Sequence, residues 1–127
     1  SLARPMLEDV ISNDDFFANR DEIVTRYPSY NKGVLNGLHA AAAWSLGQIG
    51  DPRSVPVLAS VIENTLIERV KDEDTPMRAC GFASEALITC ANKNSVEYLK
   101  KIYKESTSDE FKRVMKESID DIESKKN

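Results

Sequence analysis

The segment Ala40-Ala-Ala-Ala-Trp-Ser-Leu-Gly-Gln-Ile-Gly-Asp-Pro-Arg-Ser-Val-Pro-Val-Leu58 leaves this chain few ways to fold. Four alanines in a row favour helix and add almost no bulk, so a neighbouring helix has room to cross closely. Gly50 is the place where a left-handed residue costs least, and Asp51-Pro52 makes a corner. Ser54 is expected to cap a second helix, because a cap there puts Pro56 in the first turn, where its missing N–H removes no intrahelical bond. Helix, corner and helix therefore follow from this stretch alone.

The pattern returns. Shifting the chain by 41 residues lays Ala42 on Ala83, Leu46 on Leu87, Asp51 on Asn92, Ser54 on Ser95, Leu58 on Leu99 and Val61 on Ile102. A period near 40 with two helices per unit is that of helical-repeat proteins, whose units cannot bury their apolar faces singly and therefore stack. In the second corner Ala91-Asn-Lys-Asn94 replaces Gly-Asp-Pro-Arg, and the turn there is expected to rely on an Asn at positive φ.

The Ala-rich helix, the Leu46-Gly-Gln-Ile-Gly-Asp-Pro52 corner and the Val55-Pro-Val-Leu58 opening resemble the HEAT-like repeat family, the PBS-lyase type included. The resemblance implies an α-solenoid whose second helices line a concave binding side. HEAT-like repeats often carry an Arg in the first turn of each unit; His39 and Cys80 occupy the matching places, and Arg78 stands two residues early. Deoxyhypusine hydroxylases of this family bind iron through His-Glu pairs. Here Ala40 follows His39, so that activity does not carry over.

Taken in order, apolar spacing and caps predict an all-α chain with helices near 5–12, 14–27, 32–49, 54–70, 76–91, 95–105 and 108–124. Met6, Leu7, Val10 and Ile11 mark the first, and Phe16, Phe17, Ile23, Val24 and Tyr27 the second, which Pro28 ends. Asn31 is expected to cap the third, whose stripe is Val34, Leu35, Leu38, Ala42, Leu46 and Ile49. The fourth buries Val55, Leu58, Val61, Ile62, Leu66 and Val70, and Thr75-Pro76 restarts the chain after the acidic loop Asp72-Glu-Asp74. Phe111, Val114, Met115, Ile119 and Ile122 define the last. The expectation is a single domain of about seven helices in three and a half stacked pairs: a degenerate pair over 1–30, repeats over 31–71 and 72–106, and a capping helix over 107–127.

Function is narrowed more by what the residues exclude. A net charge of −4 gives no overall positive field for nucleic acid or an anionic membrane. No apolar run approaches the roughly 20 residues that span a bilayer, and the opening residues lack a signal-peptide pattern, which predicts a cytoplasmic location. His39 is the one histidine, and no HxxxH, HExxH or CxxC spacing exists, so no metal site and no cofactor are expected. Cys80 and Cys90, about 15 Å apart along one helix, are beyond disulfide reach and are expected to be reduced core residues. No phosphate-binding glycine loop is present.

These readings predict a noncatalytic protein-interaction scaffold. Two alternatives stay open: a bilin-lyase-like or chromophore-handling subunit, and a regulatory, inhibitory or immunity-type subunit of a larger assembly. The binding face is expected on the second helices, with Val57, Ser60 and Asn64 on one and Tyr98, Lys101 and Lys104 on the next, outside the buried stripes. Neutral on one helix and basic on the other, it suits an acidic protein segment. Trp44 is a further aromatic candidate, either lining a groove or packing between repeats.

Overall fold

Corner chemistry and small side chains set the architecture, beginning with α1 (Lys32–Ile49), which ends at Gly50. Gly50 holds φ 70°, the only positive φ among the described residues, and its amide donates to the Leu46 carbonyl at 3.0 Å. The computed structural model describes Arg4, Pro5, Glu8 and residues 32–125, with backbone alone over 32–38. A 3-10 turn, Pro52–Ser54, leads into α2 (Val55–Lys71), and α3 (Arg78–Cys90), α4 (Lys93–Glu105) and α5 (Asp109–Ser124) follow. No strand occurs among the described residues.

Among the described residues the structure supports five complete helices of the seven expected. The predicted helices near 5–12 and 14–27 fall almost wholly outside the described residues, as does the Asn31 cap; Arg4, Pro5 and Glu8 themselves lie in helical backbone. The other five expected spans agree with the structure to within two residues at each end.

Helix α1 packs chiefly on α3, α2 on α3, and α4 on α5. The α1–α3 seam is lined by small side chains, with Ala40, Ala43, Ala79, Ala83 and Ala86 at 4% exposure or less. A Cβ placed on Gly47 would stand 3.1 Å from the Ala86 Cβ, closer than side chains ordinarily approach, so glycine is what lets the last turns of the two helices touch. The Cys90 thiol spans the same seam and donates to the Leu46 carbonyl at 3.5 Å. Leu46, Leu58, Leu87 and Leu99, the pairs that the 41-residue shift brings into register, are all fully buried. Each contributes roughly 1.5–3 kcal/mol by leaving water. From α5, Phe111, Met115, Ile119 and Ile122 complete the core, while Val114 is half-buried against it.

Four local expectations are corrected. Ser54 makes no capping bond; Asp51 caps the 3-10 turn instead, accepting from the Arg53 amide at 2.9 Å, so the chain is already coiled when it reaches Val55 and Pro56 still falls in the first turn of α2. Thr75 does not cap α3, which starts at Arg78. Its hydroxyl turns back to the Glu68 carbonyl at 3.3 Å and fastens the end of α2. The second corner needs no positive φ: Asn92, at φ −123°, forms a reciprocal capping box with Ser95, each side-chain oxygen accepting the other's amide at 3.0 Å. Val70 leaves the expected buried stripe and is 81% exposed: no described residue covers that side of the last turn of α2.

Candidate binding surfaces

The outer side of α2 carries Ser60, Asn64 and Ile67 at helical spacing, all exposed, with Ile67 at 43%. The Ser60 hydroxyl donates to the Pro56 carbonyl at 3.1 Å, which satisfies it within its own helix. Val57, expected on this face, is half-buried against the core and only borders the surface. On α4, Tyr98 is 37% exposed, and Lys101 and Lys104 stand in solvent. Burial raises the Tyr98 phenol above its ordinary pKa, and the carboxylates of Glu63 and Glu105 raise it further. Glu63 belongs to α2, so its carboxylate brings charge from the other second helix to the surface around Tyr98. That surface is of mixed sign: Glu63 and Glu105 accompany Lys101 and Lys104, and Lys100 is drawn 3.8 Å from Glu123 on α5.

A second feature lies on the first helices. A groove of about 100 Å³ opens along the α1–α3 seam, with the Gly47–Ala86 contact at its base, Trp44 and Phe82 as its aromatic sides, and Gln48, Glu85 and Thr89 as its polar edge. Trp44 is 52% exposed, so it lines the boundary between repeats without being covered there. Arg78 stands over the Phe82 ring at 5.8 Å, a cation held against an aromatic face. The Thr89 hydroxyl donates to the Glu85 carbonyl at 3.1 Å.

The candidates for chemistry lie in the core. His39 and both cysteines are buried, and the thiols are free. Burial pushes the Cys80 and Cys90 thiols up in pKa, the opposite of what a nucleophilic thiolate requires. Among the described residues no group of His, Cys, Asp and Glu is placed to hold a metal. Asp51 is titrated far below the usual carboxylate range, first by the Arg53 guanidinium and then by the Arg53 amide; the guanidinium reaches Oδ2 at 2.7 Å. Arg4 Nε approaches the same carboxylate at 3.5 Å and also pairs with Glu8, so this cluster ties the early helical residues to the corner. Asp51 meets an arginine of its own loop, and Arg78 turns to Phe82, so the corner acid and Arg78 take different partners.

The expected site residues thus divide between the second helices and the groove. Ser60 and Asn64 are exposed on α2 with Val57 half-buried beside them, Tyr98, Lys101 and Lys104 are exposed on α4, and Trp44 lines the α1–α3 groove. Sequence reasoning missed Ile67, Phe82, Gln48, Glu85 and Thr89. The 41-residue register did contain a signal for the groove, since it pairs Trp44 with Glu85 and Gln48 with Thr89, equivalent outward positions of successive first helices.

Residues 38–64, covering the end of α1, the corner and most of α2, match the family described as PBS lyase HEAT-like repeat. No curated protein and no solved structure matches the chain. Among the described residues no helix is long and apolar enough to cross a membrane.

Proposed function

From a chain whose residues 38–64 are a HEAT-like repeat, we propose a noncatalytic protein-interaction module that binds its partner across the outer faces of α2 and α4. In this reading the module is a small solenoid of stacked helix pairs, of which α1–α2 and α3–α4 are two, with α5 as the capping helix. One observation carries the reading: of the four large hydrophobic side chains left exposed among the described residues, Ile67, Val70 and Tyr98 stand on the second helices. A stable chain gains nothing from apolar surface in water, and an aromatic ringed by charged residues is the composition of an interface centre. Lys101 and Lys104 beside Tyr98 favour an acidic segment of the partner, and the Glu63 carboxylate limits how much negative charge can approach.

The test is a parallel capture with the parent chain and with an Ile67→Asp/Tyr98→Ala double variant, followed by affinity measurement on whatever only the parent retains. The reading predicts a loss of about 1–3 kcal/mol for Tyr98→Ala and a salt-sensitive loss for Lys101→Glu. Equal retention by parent and double variant removes this surface from consideration. The family's lyase name supports a second reading, chromophore handling. A linear tetrapyrrole added to the same protein would then show a changed visible absorption spectrum.

A further inference from the structure

The α1–α3 groove combines features that a solvated helix seam does not need together. Among the described residues its lining holds two aromatic rings and a single ionisable group, Glu85. Among the described residues no basic side chain pairs with Glu85. Thr89 has committed its hydroxyl hydrogen to the Glu85 carbonyl, so it offers the groove only lone pairs, and the Gln48 amide adds a carbonyl oxygen. One flat apolar ring, one carboxylate and two neutral acceptors around about 100 Å³ match the needs of a planar cation with several N–H donors.

We propose that this groove receives an arginine side chain from a basic, extended segment of a partner protein. The guanidinium stacks on the half-exposed indole of Trp44 and directs its N–H groups to Glu85, Thr89 and Gln48; an ammonium has neither the plane nor the fork for this. The chain's net charge of −4 favours the approach of a basic segment and opposes a nucleic acid. Arg78 sharpens the assignment. It already covers Phe82 at 5.8 Å, which leaves Trp44 as the ring for an incoming cation and sets a like charge at the edge of the groove. This site is separate from the α2–α4 surface and stands or falls without it.

Trp44 is the only tryptophan of the chain, so indole fluorescence reports on the groove directly. The probe is a capped Gly-Ser-Arg-Arg-Ser-Gly peptide at low salt, with peptides carrying citrulline or lysine in place of arginine as comparisons. The arginine peptide is expected to give a saturable spectral change by millimolar concentration, the lysine peptide a weaker one, and the neutral citrulline peptide none. Glu85→Gln should weaken binding roughly two- to fivefold, and Arg78→Ala, which removes the like charge, should tighten it by a similar factor. Trp44→Leu, followed by calorimetry, should abolish binding, while Tyr98→Ala should leave it unchanged. All four positions are exposed or half-exposed at their surfaces, and an unaltered melting temperature confirms each fold. Citrulline or lysine peptides binding as tightly as arginine, an unchanged affinity in Glu85→Gln, or no saturable response at all would overturn the proposal.

Discussion

Two glycines in adjacent first helices permit a controlled test of how these helices pack. At Gly81, near the start of α3, an added Cβ meets nothing within 4 Å. Alanine there should stabilise the protein by about 0.5–1 kcal/mol, through helix propensity and a less flexible unfolded chain. At Gly47 the same methyl gains the same propensity but arrives 3.1 Å from the Ala86 Cβ and 3.2 Å from its Cα. A backbone atom cannot rotate aside, so α1 and α3 must separate slightly along a seam built from alanines. Overpacking of this kind costs about 1–3 kcal/mol. Gly47→Ala should therefore leave the protein about 0.5–2 kcal/mol less stable than the parent. The two alanine variants should then differ by about 1–3 kcal/mol in urea unfolding, with the parent between them. If Gly47→Ala proved as stabilising as Gly81→Ala, the helices would not cross at Gly47 and the stacking described above would be wrong.

Leu58→Ala and Leu99→Ala truncate equivalent, fully buried positions, and each should lose about 2–5 kcal/mol in the same urea assay. Asn92→Ala removes the oxygen that accepts the Ser95 amide and opens the capping box of α4; the expected loss is about 1 kcal/mol, with helix signal retained. Asp51 makes stability depend on acid: its folded pKa is depressed, so its contribution is present above the ordinary carboxylate range and is lost as pH falls toward the folded value. A pH series of melting temperatures for Asp51→Asn should accordingly show a flatter acid limb than the parent, and the difference should shrink with salt.

The helices were legible because their determinants are local. Ala40 to Ala43, Gly50 and the 41-residue echo of Leu46 and Leu58 in Leu87 and Leu99 state the period, the stop and the core positions without help from the fold. The cap residues were less legible. Ser54, Thr75 and Ser95 all have the right side chain, but which of several nearby oxygens accepts an amide depends on backbone geometry around the corner: Asp51 takes the place expected of Ser54, while Ser95 shares its corner with Asn92 in a reciprocal box. Val70 shows the limit of periodicity: it continues the apolar stripe of α2, yet burial also requires a neighbour over the last turn. Among the candidate site residues, the exposure of Tyr98, Lys101 and Lys104 could be read from spacing alone. For the groove beside Trp44 the 41-residue register marks Trp44, Gln48, Glu85 and Thr89 as equivalent outward positions, but its aromatic side, Phe82, shows only where α3 lies against α1.

The most direct measurement of the stacked-repeat architecture is a carbon-edited nuclear Overhauser spectrum of the labelled protein. With the Ala86 Cβ lying in line with the place a Gly47 Cβ would occupy, 3.1 Å away, a strong cross-peak is predicted between a Gly47 α-proton and the Ala86 methyl, two residues 39 positions apart in sequence. Gly47 α-protons that show contacts only within their own helix would contradict it.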